Sequence, residues 1–248
     1  MSESWGALCS EHAINARLNL KMDLPAEREP VLAMFDRLRK EFAPLRQFKR
    51  IGSELCLESE PGIAPGRWVS LKRNYVRSGV IGPSAPAEAL QFHRLVMEIA
   101  PYFLTISPIE VDYLELLFAF DLSATGNHDA IVHDALFGST PLGRLLDVRG
   151  SMVCDCQPVF GIALDEDRQV EAHFEVKTRT APPGTPYDAP AAPISVQLVL
   201  RRYGPVDEIA ELPRILDRLT GFGTELVQSR VVPGLLLPIR QAISSHNA

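Results

Sequence analysis

Three segments of this 248-residue chain alternate apolar and polar residues and then pass through a turn into a helical pattern. In the first, every second residue from Ile14 to Met22 is apolar, which is the period of a half-buried strand, and Pro25 ends it. From Arg28 to about Phe42, apolar residues recur at helical spacing and form one face. This segment is therefore predicted to be a strand followed by an amphipathic helix.

The same succession starts again at Ile109 and at Ile194, so that the three initial isoleucines, including Ile14, stand 95 and 85 residues apart. In the second strand the apolar row changes phase near Tyr113, which predicts a β-bulge there. A helical pattern follows each strand. The chain is therefore predicted to repeat a strand-and-helix unit.

Further strands are predicted between these units. Residues 54–58 and 67–73 are separated by two Pro-Gly pairs, which suits an antiparallel hairpin. Residues 152–164 and 169–178 form a second pair, and the latter segment alternates apolar residues with polar ones. One wet face is typical of antiparallel rather than parallel sheets.

These patterns together predict an α+β fold with internally repeated β-α-β-β units, a mainly antiparallel sheet and helices packed on one side. Two halves, residues 1–106 and 107–248, are expected either as separate domains or merged in one extended sheet. Residues 181–193 are rich in proline and are predicted to form a surface loop.

Composition places the chain among ordinary packed proteins, with 46% hydrophobic and 23% charged residues. The 31 acidic residues exceed the 25 basic ones, and the net charge of −6 argues against general nucleic-acid binding. The N-terminal residues show no signal peptide and no apolar run reaches the roughly 20 residues that cross a bilayer, so a cytoplasmic protein is expected. Four cysteines are then expected to be small core thiols rather than disulfides: Cys9, Cys56, Cys154 and Cys156.

Familiar catalytic motifs are missing from the sequence. It contains no GxxxxGK[ST] phosphate loop, no GxGxxG after a strand and no GxSxG elbow. Cys154 and Cys156 are too close together for a turn-based zinc pair, and His128 and His133 would lie on different faces of a helix. We therefore predict no catalytic residue, no cofactor and no metal, although residues distant in sequence can still assemble an active site.

The run from Arg67 to Arg77 mixes four cations with two large aromatic residues, and Arg201-Arg202-Tyr203 is a shorter instance. Arginine beside tryptophan or tyrosine is the composition enriched at binding hot spots. A competing interpretation is that the cations protect a sheet edge while the tryptophan belongs to the core. The candidate peptide-binding residues are Arg67, Trp68, Lys72, Arg73, Tyr75, Arg77, Arg201, Arg202 and Tyr203.

Two of the strands open with the same Pro-Ile pair, in Pro108-Ile109-Glu110-Val111 and in Pro193-Ile194-Ser195-Val196, and each passes into a helix. This pattern resembles a group of bacterial α+β proteins that includes the peptide-binding accessory proteins of crocagin-type ribosomal peptide (RiPP) biosynthesis. The resemblance covers most of the chain as element order, and it carries over no functional residue. It implies a non-catalytic protein that holds a precursor peptide for modifying enzymes.

The leading hypothesis is peptide binding by strand addition at a sheet edge, with the basic aromatic strand as that edge. The expected partners are a precursor peptide and its modifying enzymes, with no nucleic acid and no membrane. Two alternatives stay open at this point. One is an enzyme of unrecognised type, such as a cyclase or hydrolase that acts on a peptide. The other is a structural subunit that forms a homodimer through the same edge.

Overall fold

The computed structural model describes residues 5–24, 28–146, 148–178 and 192–246. Nine strands form one sheet: β1 (Glu11–Leu20), β2 (Leu45–Ile51), β3 (Glu54–Ser59), β4 (Gly66–Lys72), β5 (Tyr75–Ile81), β6 (Val111–Leu122), β7 (Val159–Ala163), β8 (Val170–Thr178) and β9 (Ile194–Tyr203). The α-helices are α1 (Arg28–Glu41), α2 (Pro86–Phe103), α3 (His128–Leu136), α4 (Leu212–Leu226) and α5 (Leu237–His246). A π-helical segment, Val227–Leu236, connects the last two helices.

The strand order is β2-β3-β4-β5-β1-β6-β9-β8-β7, and each neighbouring pair is antiparallel. The predicted α+β class with a mainly antiparallel sheet is therefore confirmed. Strands β1 and β6 are neighbours in the middle, so strands from both predicted halves belong to one continuous sheet. The internal repeat and the half boundary near residue 106 stay predictions.

One face of the sheet carries the core. The register places Ile14 of β1 between Val80 of β5 and Phe118 of β6, and all three side chains are buried. Helix α4 packs so closely on this face that a Cβ added at Gly223 would overlap the Phe118 ring. We call this the helix face, and we call the opposite side of the sheet the open face.

Helix α2 is fixed to the helix face by a buried histidine. His93 is 0% exposed, its Nδ1 lies 2.7 Å from the Ser78 hydroxyl on β5, and its Nε2 lies 3.1 Å from the carbonyl of Ile14 on β1. A carbonyl can only accept, so Nε2 carries the proton and Nδ1 accepts from the serine. Burial lowers the pKa of His93 to about 4, with partial compensation from the Ile14 carbonyl, so the ring is neutral at pH 7.

Several predicted elements are confirmed with shifted ends. The bulge expected near Tyr113 lies next to it: Asn19 pairs with Tyr113 but Leu20 pairs with Val111, which leaves Asp112 as the extra residue. The strand predicted over residues 152–164 is wrong in its first half, because only Val159–Ala163 pairs with β8. The predicted loop over residues 181–193 lies outside the described residues up to position 191.

Strands β2 and β5 carry no pattern that predicts them. Only Leu45 of β2 is buried, so β2 shows no apolar alternation, and in β5 the pair Ser78-Gly79 interrupts the apolar pattern.

The thiols are free, and only Cys56 is fully buried, while Cys9 and Cys156 are half-buried. Cys154 is exposed, so the expectation of a core thiol is wrong for that residue. Within the described ranges, no helix is both long and apolar enough to span a bilayer.

Candidate functional site on the open face

A row of polar side chains, most of them charged, crosses the middle of the open face. Because facing residues in an antiparallel register point to the same side, the row takes one residue from each of six neighbouring strands. We call it the arginine row. In order from β4 to β8 it consists of Ser70, Arg77, Arg17, Glu115, Arg201 and Glu171.

Aromatic rings flank the cations of this row. The Arg17 guanidinium lies 4.3 Å from the ring centroid of Tyr75 and 5.7 Å from that of Tyr113. Arg77 lies 5.2 Å from the Trp68 ring and 5.9 Å from the Tyr75 ring. At these distances the negative π-faces attract the guanidinium groups.

The three arginines differ in their charge partners. Arg201 donates from Nε to Glu115 at 2.6 Å, and although burial alone would lower its pKa, hydrogen bonds to Tyr203 and Glu115 raise it above the usual arginine range. Arg17 donates to the neutral amide oxygen of Asn19 at 2.7 Å. Within the described part of the chain, neither Arg17 nor Arg77 has a carboxylate within ion-pair distance.

Arg17 and Arg77 face each other directly across β1 and β5. Like charges in this position repel and destabilise the sheet unless something of opposite charge lies between them. The geometry therefore provides two positive groups, with aromatic walls, that an anion can bridge.

Unmet hydrogen-bonding capacity lies beside this pair. The Ser70 hydroxyl, the Asn15 amide oxygen and Nε of Arg17 are buried and have no hydrogen-bond partner among the described residues. Ser70 faces Arg77, and Asn15 lies two residues before Arg17 on the same strand face. Buried polar atoms are nearly always hydrogen-bonded in folded proteins, so the desolvation of these three atoms is not offset by a hydrogen bond to any described residue.

Trp68 depends on a glycine of the neighbouring strand. The indole lies flat on Gly79, where an added Cβ would overlap its five- and six-membered rings. Because Gly79 has no side chain, the large ring can lie along the sheet next to Arg77 rather than project into solvent.

The structure brings together six of the nine residues predicted from the sequence. On the open face lie Trp68, Lys72, Tyr75, Arg77, Arg201 and Tyr203. The site also contains residues that the sequence pattern did not single out for binding: Asn15, Arg17, Ser70, Tyr113 and Glu115.

The other three predicted residues lie apart from this site, and their assignment to peptide binding stays a prediction. Arg67 and Arg202 occupy strand positions on the helix face, where Arg67 pairs with Glu88 of α2 at 3.0 Å. Arg202 donates to the backbone carbonyl of Gly204 at 2.8 Å. Arg73 lies in the turn after β4 and pairs with Asp23 at 2.7 Å.

The prediction that the basic aromatic strand is a sheet edge is wrong. Strand β4 pairs with β3 on one side and with β5 on the other, so its backbone groups already have partners. The competing interpretation fails for the same reason, since an interior strand needs no edge protection, and Trp68 is half-buried on the open face rather than in the core. The edges of the sheet are β2 and β7.

The hydroxyl–imidazole pair of Ser78 and His93 is not an accessible nucleophile and base. Both residues are 0% exposed between α2 and the sheet, so a substrate cannot reach them. Among the described residues, no cluster of three or more His, Cys, Asp or Glu side chains is arranged to hold a metal ion.

Comparison with known proteins assigns no family. No family model and no curated protein matches the sequence. One solved structure that aligns with the chain is the di-domain ARO/CYC BexL from the BE-7585A biosynthetic pathway, at 9% identity over 79% of this chain and 78% of that one. The TM-score of 0.20 is too low to carry an argument about fold or function.

Proposed function

We propose that this protein is a non-catalytic binding protein whose open sheet face holds an acidic peptide segment. The observation that carries the proposal is the pairing of Arg17 with Arg77 across β1 and β5 without a carboxylate partner in the described chain. An acidic side chain or a terminal carboxylate is the group that such a pair attracts, because each guanidinium can donate two parallel hydrogen bonds to it.

The dimensions of the site suit a short stretch of peptide. Strands β4, β5, β1, β6 and β9 are consecutive neighbours, so the part of the arginine row between Ser70 and Arg201 is about 19 Å long at the usual strand spacing. An extended peptide covers that distance with roughly six residues. Tyr75, Tyr113 and Trp68 are partly exposed beside the arginines, and their remaining accessible surface suits apolar side chains of the same segment.

This mode of binding replaces strand addition at β4. It uses side chains across the sheet, so it leaves the backbone pairing of β4 intact. A protein that only holds an acidic peptide fits the role implied by the resemblance to accessory proteins of crocagin-type peptide biosynthesis. The peptide and the enzymes that modify it belong to this proposal as expected partners.

The proposal is tested by selecting peptides from a random library displayed on phage against the immobilised protein. We expect selected peptides to be enriched in Asp and Glu, with aromatic or aliphatic residues between them. A labelled selected peptide should bind in a fluorescence polarisation titration, and Arg17→Gln with Arg77→Gln should weaken it by at least about tenfold.

The matched control removes two charges elsewhere. Arg39→Gln with Lys40→Gln changes two exposed cations on α1 and should leave the affinity unchanged. Selection of peptides without acidic enrichment, or equal binding by both double variants, would contradict the proposal.

A further inference from the structure

A cavity of about 620 Å³ lies on the helix face, between the first turn of α1 and the ends of β2, β3 and β4. Its volume is within the range of roughly 300–1,000 Å³ that is typical of small-molecule sites. Its apolar lining lies on the opposite side of the sheet from the arginine row, and Lys72 at the end of β4 is the one cavity-lining residue that was also assigned to the peptide site.

The floor of the cavity is apolar. Val31 and Leu32 of α1 face Phe48, Leu55 and Leu71 of the three strands. Phe48 points to the helix side yet is 52% exposed, and its ring contacts that of Phe35 on α1, with ring centroids 6.0 Å apart. The helix therefore leaves apolar sheet surface uncovered at this end.

The rim of the cavity is basic. Arg28, Arg50 and Arg73 line the opening, and the described lining residues include no carboxylate. Arg73 is paired with Asp23, whereas Arg50 donates to the backbone carbonyl of Gly52 at 3.1 Å. No described carboxylate pairs with Arg28 or Arg50. An apolar floor below the guanidinium groups of Arg28 and Arg50 is complementary to a molecule with an apolar tail and one anionic head.

We infer that this cavity binds an amphipathic carboxylate of the fatty-acid class, with its chain on the Phe48–Leu55–Leu71 floor and its head between Arg28 and Arg50. Charge complementarity fixes the orientation, since the reverse pose would bury a carboxylate against apolar side chains.

A dansyl-labelled undecanoate is the probe for the test, because its emission rises when the dansyl group leaves water. We expect saturable binding, displacement by laurate, and displacement by lauryl alcohol that is weaker by at least about tenfold. Arg28→Gln with Arg50→Gln should reduce probe affinity to a similar extent, whereas Arg37→Gln with Arg46→Gln, two exposed cations outside the cavity, should not.

Variants that fill the cavity test its position. Leu32→Trp and Leu55→Phe each add volume to the floor and should abolish probe binding, with circular dichroism used to select folded variants. The protein with both Arg17→Gln and Arg77→Gln should bind the probe like the wild type. Loss of peptide binding on the open face can therefore be distinguished from loss of probe binding in the cavity. Equal displacement by laurate and lauryl alcohol, or full probe binding by a folded filling variant, would overturn the inference.

Discussion

Arginine side chains on neighbouring strands stay close together only when other groups offset their repulsion. Around Arg17 and Arg77 part of the offset comes from the π-faces of Trp68, Tyr75 and Tyr113, and Glu115 faces Arg17 from β6 beyond ion-pair distance. A cation over an aromatic face is stabilised by about 0.5–1 kcal/mol at an exposed site and by more where water is excluded. The rings therefore maintain positive groups at the surface without neutralising them.

The contact between the Trp68 indole and Gly79 gives a prediction about a single methyl group. Gly79→Ala places a methyl group where the indole lies, so the ring must leave its position, and we expect a loss of about 2 kcal/mol in unfolding free energy. Urea denaturation measures the change, and peptide affinity should fall in the same variant.

Gly66→Ala is the matched control for this substitution. It lies in the same hairpin, but its Cβ would meet Ile81 at an ordinary 3.7 Å, so it should change stability little. Equal stabilities of the two variants would show that the indole does not occupy the Gly79 surface.

Alternation within single strands accounts for what the sequence could predict of the site. Trp68, Tyr75 and Arg77 stand out because they fall in one basic aromatic run. Alternation also separates neighbours: Arg67 and Trp68 are adjacent in one strand, so they lie on opposite faces and cannot both belong to one site. The same rule, extended along the whole run, excludes Arg67 from any site that contains Trp68.

Pairing between distant strands is what the sequence could not supply. Arg17 meets Arg77 across a separation of sixty residues, and Tyr113 joins them from β6. In β1 alone, Arg17 is simply a polar residue between buried apolar ones. Many antiparallel orders are compatible with the same alternation, and the pair of arginines arises because β1 lies next to β5 in the register that matches Arg17 with Arg77.

The contact between α2 and the sheet predicts a dependence of stability on pH. The native pKa of His93, about 4, is below the ordinary value of 6.5, so between these values the unfolded chain binds a proton that the native protein does not. The free energy of unfolding is therefore not reduced by His93 above pH 6.5, and it decreases as pH falls from 6.5 toward 4. The total decrease in unfolding free energy over this pH range is on the order of 3 kcal/mol.

His93→Gln isolates this effect, because glutamine can still donate to the Ile14 carbonyl and accept from Ser78. Urea unfolding across this pH range should show a smaller decline for the variant than for the wild type. Parallel declines would mean that His93 is protonated in the native protein.

The distribution of charge over the whole molecule determines how the proposed peptide binding depends on electrostatic attraction and on salt. The chain has a net charge of −6, yet Lys72, Arg17 and Arg77 are concentrated on one half of the open face. An acidic peptide is therefore attracted to this face against an overall repulsion, and added salt should weaken binding at the exposed part of the site. Ligand binding in the apolar cavity on the helix face should depend less on these charges, because burial of apolar surface on the cavity floor contributes to the affinity.

The most direct test of the central claim uses the two tryptophans of the chain. Trp68 lies next to Arg77 on the open face, whereas Trp5 packs against Phe118 and Phe120 on the helix face, with ring centroids 5.9 and 5.6 Å away. A ¹⁵N–¹H spectrum of the full chain resolves one indole resonance for each, and Trp68→Phe assigns them. During titration with a selected acidic peptide, the Trp68 resonance should move saturably while that of Trp5 stays in place. Movement of Trp5 alone, or of neither resonance while polarisation reports binding, would contradict the account.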